Sequence, residues 1–389
     1  MRIMVFEYQL YEHGGPTALY NNILLAARAC GDKVDIIFCK SLKGKNLFER
    51  EEKIIEPEKL AMMDLSKYDA IITSSIGLVP MFKDGWTVRI LEKLTSHPCF
   101  IEIEHNSFPK ITQKNMMGQP GSFLTYNNST ICMHHNHVVD DVNEDIFDGK
   151  LRTMPYWFGI TAEEPPKNLK PREDRSLIVA AGYPRAFRTP KKFISWAKFL
   201  RERCSFAKKY DFVMHSHVGG FSCMRYEKHP LLIQAITKIK PPRKNTEDSF
   251  IYWKRFIPRD EVLEVYNNTA YYWSHYDYSK HSPLSVKLEY GQLDSMFQGA
   301  IPILNREAIG KYIHPFSDTN VEYYATMWNF RKKNHSPIDV SRWVVENYNF
   351  IRMWEKFYRP NFKEMKKEQK VDWDGDLAIS LMDFQKERR

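Results

Sequence analysis

SPLSVKLEYGQLDSMFQGAIPIL (282–304) carries a helix, a stop and a strand in that order. Leu284–Phe297 is predicted as a helix, Gly299 as its stop, and Ile301–Leu304, with Pro302 inside it, as the strand that follows. Asp294 lies on the helix. A plain amphipathic helix with exposed acids would read the same way, so the meaning of the segment depends on its neighbours.

Upstream, the same rhythm repeats. Leu177–Ala181 is predicted as a strand, Pro190–Arg203 as a helix and Phe212–His215 as a strand. Asp260–Asn267 is a helix after Pro258-Arg259, and Ala270–Trp273 is another strand. Alternating strands and helices imply a parallel sheet covered on both faces. TAEEPPKNLKPREDR (161–175), rich in proline and charge, reads as a linker.

Before it the rhythm is already present. Ile3–Phe6 is a strand, and a polar loop with Gly14, Gly15, Pro16 and Thr17 follows. Ala18–Ala29 is a helix with Leu19, Ile23, Ala26 and Ala27 on one stripe, stopped by Gly31. Val34–Cys39, Asp69–Thr73, Phe100–Glu104 and Thr130–Met133 are further strands. The expected architecture is α/β. Two Rossmann-like, doubly wound domains, 1–160 and 176–340, would face a central cleft. The linker 161–175 joins them, and a charged helical tail over 341–389 could cross back to the first domain. Ligands of such sheets bind beyond the carboxyl ends of the strands.

Composition narrows the class. A chain of 389 residues exceeds what one hydrophobic core usually serves. Its 43% hydrophobic and 27% charged residues are ordinary for a soluble protein. No apolar run reaches the roughly 20 residues of a membrane helix, and MRIMVFEYQL does not read as a signal peptide. Cys30, Cys39, Cys99, Cys132, Cys204 and Cys223 are scattered without C-x-x-C spacing, which argues against a zinc ribbon and for a reducing, cytosolic setting. Neither G-x-G-x-x-G nor a P-loop follows a strand. The net charge of +9 favours a polyanionic partner.

The segment 282–304 resembles the nucleotide-binding helix of GT-B glycosyltransferases, in which an acid shortly before the glycine holds the ribose hydroxyls. The wider chain resembles the DNA α-glucosyltransferases of T-even bacteriophages, which glucosylate 5-hydroxymethylcytosine. The matching stretches are MRIMVF and GGPT at the start, KYDAIITSS (67–75), IEHNS (103–107) and TICMHHN (130–136). RTPKKF (188–193), FIPRDEVLEVY (256–266) and KLEYGQLDSMFQGAIPI (287–303) continue them.

The resemblance implies a GT-B fold and a UDP-sugar donor. It implies transfer with retention to hydroxymethylated double-stranded DNA, by a monomer in the cytoplasm of an infected bacterial host. Glucose is the family sugar; a pentose such as arabinose is the alternative. No obligatory cofactor or metal is expected, since GT-B enzymes usually need no metal for the leaving group.

On the donor side, Asp294 takes the ribose role. Gly14 and Gly15 occupy the glycine-rich loop near the phosphates, with Thr17 at the helix start. Lys191 matches the diphosphate clamp, together with either Arg185 or Arg188. Positive charge there would stabilise an anionic leaving group. Glu289 matches a family glutamate. On an ideal helix it points about 140° away from Asp294, so it is read as a group near the helix N-terminus that touches the sugar.

On the acceptor side the family has a His-Asp pair where this chain has His105-Asn106, so a carboxylate has become an amide. His105 remains a candidate to bind or deprotonate the acceptor hydroxyl. The stretch 205–244, with Lys208, Lys209, Arg225, Lys228, Lys238, Lys240, Arg243 and Lys244 among Phe221 and Tyr226, is read as DNA contact. Arg225, Lys240, Arg243 and Lys244 are its leading candidates, although an ordinary basic surface has the same composition. Asp372-Trp373-Asp374 reads as a solvated turn, and His134, His135, His137, His215 and His217 lack a metal-binding context. Two other readings stand beside DNA transfer: a GT-B enzyme acting on polysaccharide or lipid-linked sugar, and a non-catalytic nucleic-acid-binding protein on the same scaffold.

Overall fold

The computed structural model describes residues 1–10, 15–41, 52–74, 90, 93–94, 96–103, 130–133, 152–155, 159–181, 190–203, 205–216, 251–255, 259–273, 290–305, 323–324 and 336–365. The chain divides into two compact units. The first is Met1–Thr161 with Tyr348–Arg389, and the second is Ala162–Asn347.

The first unit is built on a seven-stranded parallel sheet of β1 (Arg2–Leu10), β2 (Lys33–Ser41), β3 (Glu52–Ile54), β4 (Ala70–Ser74), β5 (Phe100–Ile103), β6 (Thr130–Met133) and β7 (Arg152–Pro155). The strand order is β3-β2-β1-β4-β5-β6-β7. Met4, Phe6, Ile71 and Phe100 join Leu60, Leu65, Tyr68, Ile90 and Leu94 in one core cluster. Ile3, Val5, Ile72 and Ile101, on the alternate positions, are equally buried. Burial on both faces is why these strands read as near-continuous apolar runs. Helix α1 (Gly15–Ala29) follows β1, and the short α2 (Pro57–Met62) follows β3.

The second unit holds a six-stranded parallel sheet of β8 (Leu177–Ala181), β9 (Asp211–Ser216), β10 (Ile251–Arg255), β11 (Thr269–Trp273), β12 (Ile301–Asn305) and β13 (Tyr323–Tyr324). Its order is β10-β9-β8-β11-β12-β13. Its helices are α3 (Pro190–Arg203), α4 (Arg259–Asn267), α5 (described over Tyr290–Phe297) and α6 (Pro337–Asn347). Leu177, Val179, Val213 and Tyr272 of the sheet pack with Val265 and Tyr266 of α4. Each unit therefore repeats one doubly wound order, with a switch point between β1 and β4 and another between β8 and β11.

The glycine stops are Schellman caps. Gly31 has φ +73° and Gly299 φ +81°. Gly31 N–H donates to the Arg28 carbonyl and Asp32 N–H to that of Ala27. Gly299 N–H donates to Met296 and Ala300 N–H to Ser295.

The segment 161–175, read from its composition as a linker, belongs from Ala162 onward to the second unit and is held down on it. Lys170 N–H donates to Asn267 Oδ1 at 2.9 Å, and Asn267 Nδ2 donates to the Asn168 carbonyl at 2.8 Å. Arg175 is 1% exposed. It donates from Nε to the Lys170 carbonyl and from Nη1 to the Thr269 carbonyl. Burial first, and then the charge of Arg172, lower its pKa to about 10.

The tail, expected to be helical and charged, also carries a buried aromatic stripe. Helix α7 runs through α-helical Phe350–Met353, a π turn over Trp354–Tyr358 and α-helical Arg359–Met365. Phe350, Trp354, Tyr358 and Phe362 are all fully buried. Four-residue spacing in a pure α-helix would drift about 120° over those twelve residues. A π turn takes in one extra residue and sets the register back by about 100°, which keeps the stripe on one face. The helix packs against α1 within the first unit. Trp354 Nε1 donates to the buried Asp32 carboxylate at 2.8 Å, and Arg359 pairs with the same oxygen at 3.0 Å. Where the chain leaves and rejoins this unit, Ile160 bridges to Asn349 in parallel. Asn349 also caps α7 by accepting from Arg352 N–H.

Candidate functional site

Of the candidate donor residues, Gly15, Thr17 and Lys191 lie at the starts of the helices that follow β1 and β8, the strands beside the switch points. Gly15 opens α1 directly after the loop that follows β1, and Thr17 lies in the first turn of that helix. Lys191 follows Pro190 at the start of α3, in the connection that leaves β8. Proline suits that first helical position because its missing N–H has no intrahelical partner there. These positions set backbone N–H groups and helix N-termini at the strand ends, the arrangement that suits an anionic ligand.

Asp294 lies within α5 and is half-buried, and its backbone carbonyl accepts from Gln298 N–H at 3.1 Å. The helix that carries it is fixed from three directions. At Gly291 a Cβ would stand 2.7 Å from Tyr272 Oη and 3.1 Å from Tyr266 Oη, so only glycine allows the helix this close to β11 and α4. The Tyr266 and Tyr272 rings meet edge to face at 5.8 Å. Ser295 Oγ donates to the Gln292 carbonyl, and both side chains are buried. At the far end a Cβ on Gly299 would fall 2.5 Å from Pro337 Cβ and 2.9 Å from Arg175 Nη2. Ser341 of α6 donates to the Phe297 carbonyl. Gly291 was not singled out from sequence. An isolated glycine inside a helical pattern was the available signal.

The remaining sequence candidates lie outside the described residues. Gly14 falls between β1 and α1 in sequence, and Arg185 and Arg188 fall between β8 and α3. Glu289 immediately precedes the described part of α5. His105 and Asn106 follow β5, and Arg225, Lys240, Arg243 and Lys244 fall between β9 and β10. Among the described residues, no group of three or more His, Cys, Asp and Glu side chains is placed to hold a metal ion. Among them, too, no helix is long and apolar enough to cross a membrane.

The chain is similar in fold to solved glycosyltransferase structures. An alpha-glucosyltransferase in complex with UDP and a 13-mer DNA containing a HMU base superposes with a TM-score of 0.60 at 11% identity. The match covers 94% of this chain and 100% of that one. The chain has the GT-B fold. A second match is the E. coli structure described as trehalose-6-phosphate bound with UDP-2-fluoro glucose. Its TM-score is 0.58 at 12% identity, over 94% of this chain and 99% of that one. TarM gives 0.53 at 9% identity, over 99% and 98%. No family model matches the chain, and no curated protein matches it. In the six-stranded parallel sheet, the first turns of α3 and α5 lie toward the carboxyl ends of the strands, where ligands of such sheets bind.

Proposed function

We propose that this protein is a UDP-sugar-dependent glycosyltransferase that modifies 5-hydroxymethylcytosine in double-stranded DNA, with glucose as the default sugar. The observation that carries this reading is the match to an alpha-glucosyltransferase held with UDP and DNA, which spans nearly the whole of both chains. The net charge of +9 supports a polyanionic acceptor.

In the reaction, the acceptor hydroxymethyl oxygen forms a bond to the anomeric carbon. The bond from that carbon to the β-phosphate oxygen breaks, UDP leaves with the electron pair, and the hydroxyl proton passes to a base. Asp294 holds the ribose. Lys191, with Arg185 or Arg188, balances the charge that grows on the diphosphate. Gly14, Gly15 and Thr17 bring backbone N–H groups to the phosphates. His105 takes the acceptor proton, Asn106 orients the acceptor, and Glu289 touches the sugar. Arg225, Lys240, Arg243 and Lys244 hold the DNA backbone.

The test is incubation with hydroxymethylated duplex and a panel of UDP-sugars, arabinose included, followed by mass spectrometry of the nucleosides. Failure to gain a sugar with every donor would refute the reading. Asp294→Ala is expected to weaken UDP binding about tenfold to 150-fold, the worth of a charged hydrogen bond of about 1.5–3 kcal/mol; unchanged affinity by calorimetry removes the ribose role. His105→Ala is expected to slow transfer about 10²–10⁴-fold while UDP binding persists. Near-normal transfer by that variant would move the base to Glu289 or to a donor phosphate oxygen.

The nearly equal likeness to the E. coli structure favours a second reading, in which the acceptor is a sugar. The same experiment with sugar phosphates in place of DNA separates the two.

A further inference from the structure

The six-stranded sheet ends in exposed cations. At its amino edge stands the 3₁₀ turn Ser205–Lys209, which leads through Tyr210 into β9. Lys208 and Lys209 are exposed there, and so is Arg203 at the last turn of α3. Glu202 is the exposed acid among them.

The turn is built rather than loose. Arg201 turns its guanidinium inward, and its Nη1 faces the carbonyls of Ala207 at 3.0 Å and Tyr210 at 2.9 Å, with that of Lys208 between them. One arginine therefore caps the backbone from which the two lysines project. Lys209 Nζ sits 4.9 Å above the Tyr210 ring. Tyr210 meets Tyr271 edge to face at 5.8 Å, and the Arg172 guanidinium lies 5.9 Å over Tyr271. Two cations thus flank a pair of buried rings along the start of β9 and β11. The acids near this row are Glu202, Glu173 and Asp174 on the Arg172 turn, and the part-buried Asp211. On the same helix end Phe199 is 46% exposed, one turn before Arg203.

Position separates this patch from the donor residues. β9 has six residues, and a strand of that length spans about 20 Å. A contact at the amino edge is therefore about a duplex width away from the carboxyl edge.

We propose that Arg203, Lys208 and Lys209 form a second contact for the DNA backbone, which holds a stretch of duplex other than the one bearing the reacting base. The proposal rests on the reading that DNA is the acceptor. Its effect would be to favour long DNA over short, because one duplex segment can stay bound at the amino edge while another is presented for reaction. Effective concentration then raises occupancy without any new contact at the acceptor.

The test compares hydroxymethylated duplexes of about 12 and about 200 base pairs, at one charge per roughly 1.7 Å. The triple variant Arg203→Glu/Lys208→Glu/Lys209→Glu is set against the unaltered protein, and UDP binding reports that the variant is folded. The expected result is a fall of fivefold or more in the preference for long over short DNA. The salt slope of long-duplex binding should also become shallower, by about 0.9 per lost phosphate contact. Should the triple variant fail to bind UDP, Lys208→Gln/Lys209→Gln takes its place, with about two contacts' worth of slope expected to disappear. An unchanged preference and an unchanged slope in a folded variant overturn the second contact and leave the proposed function standing. Absence of DNA binding by the unaltered protein at any length overturns both.

Discussion

The two sheets share a strand order and differ in where their covering helices come from. In the second unit, α3, α4, α5 and α6 all arise between Ala162 and Asn347 and stay close in sequence to the strands they follow. In the first, α1 is local, but its partner α7 follows the whole second unit in the sequence. The hydrogen bond from Trp354 to Asp32 joins residues 322 positions apart. Identical topology therefore does not mean identical cooperativity. One core is assembled from neighbours, and the other needs a long loop closed before it is complete.

The sharpest way to break the comparison is at Trp354. It is fully buried, its ring meets Phe362 edge to face at 5.6 Å, and its indole N–H bonds to a buried carboxylate. Trp354→Ala is expected to cost about 3–5 kcal/mol. Hydrogen exchange read by mass spectrometry should rise in 15–29 and 100–103 and stay slow in 177–181 and 211–216. Equal loss of protection in both sets would show that the two cores do not melt separately.

Gly299→Ala is the matching lesion in the second unit. The positive φ alone costs about 1–2 kcal/mol for an alanine, and the added methyl would overlap Pro337. The exchange pattern should reverse, with 290–305 losing protection and 1–10 keeping it. A calorimetric trace in which Trp354→Ala and Gly299→Ala lower the same transition would erase the distinction.

The smallest effect is expected at Asp35, on the amino edge of the first sheet. Burial pushes its carboxyl up, but hydrogen bonds from Arg2, Tyr68 and Lys53 outweigh that and hold it below the ordinary range. The network thus adds stability above about pH 4 and loses it as the pH falls through the folded-state value. Asp35→Asn should cost less than about 1 kcal/mol at neutral pH. It should also flatten the acid side of the stability curve for the first unit. An equally steep acid limb in the variant would assign that limb to other carboxylates.

The same comparison explains what could be read from the sequence. Every interior strand of both sheets was legible: β1, β2, β4, β5 and β6 in one, β8, β9, β11 and β12 in the other. The strands that the sequence pattern does not reveal are β3, β7, β10 and β13, and each lies at a sheet edge. Edges are blunted by shortness, charge or proline because they must resist pairing with other chains. Glu52–Ile54 has three residues, Arg152–Pro155 ends in a proline, Ile251–Arg255 closes on Lys254 and Arg255, and Tyr323–Tyr324 is a single pair.

The aromatic stripe of α7 went unread for a different reason. Its four-residue period fits neither a straight α-helix nor a strand, and only the π turn reconciles it. In the candidate site, the helix with Asp294 and its glycine stop were legible because caps are local. The closeness of Gly291 to Tyr272 and Tyr266 was not, because it joins three elements.

The parallel bridge between Ile160 and Asn349 has a consequence for biosynthesis. A ribosome releases the chain from its amino end, and domains ordinarily fold in that order. Here the amino-terminal sheet emerges first but must wait for Phe350, Trp354, Tyr358 and Phe362. The unit inserted between Ala162 and Asn347 is fully emerged while its host still exposes the apolar face of α1. Released chains truncated after residue 347 should therefore carry a finished second unit and an unfinished first one, the state in which a chaperone would find the most to hold.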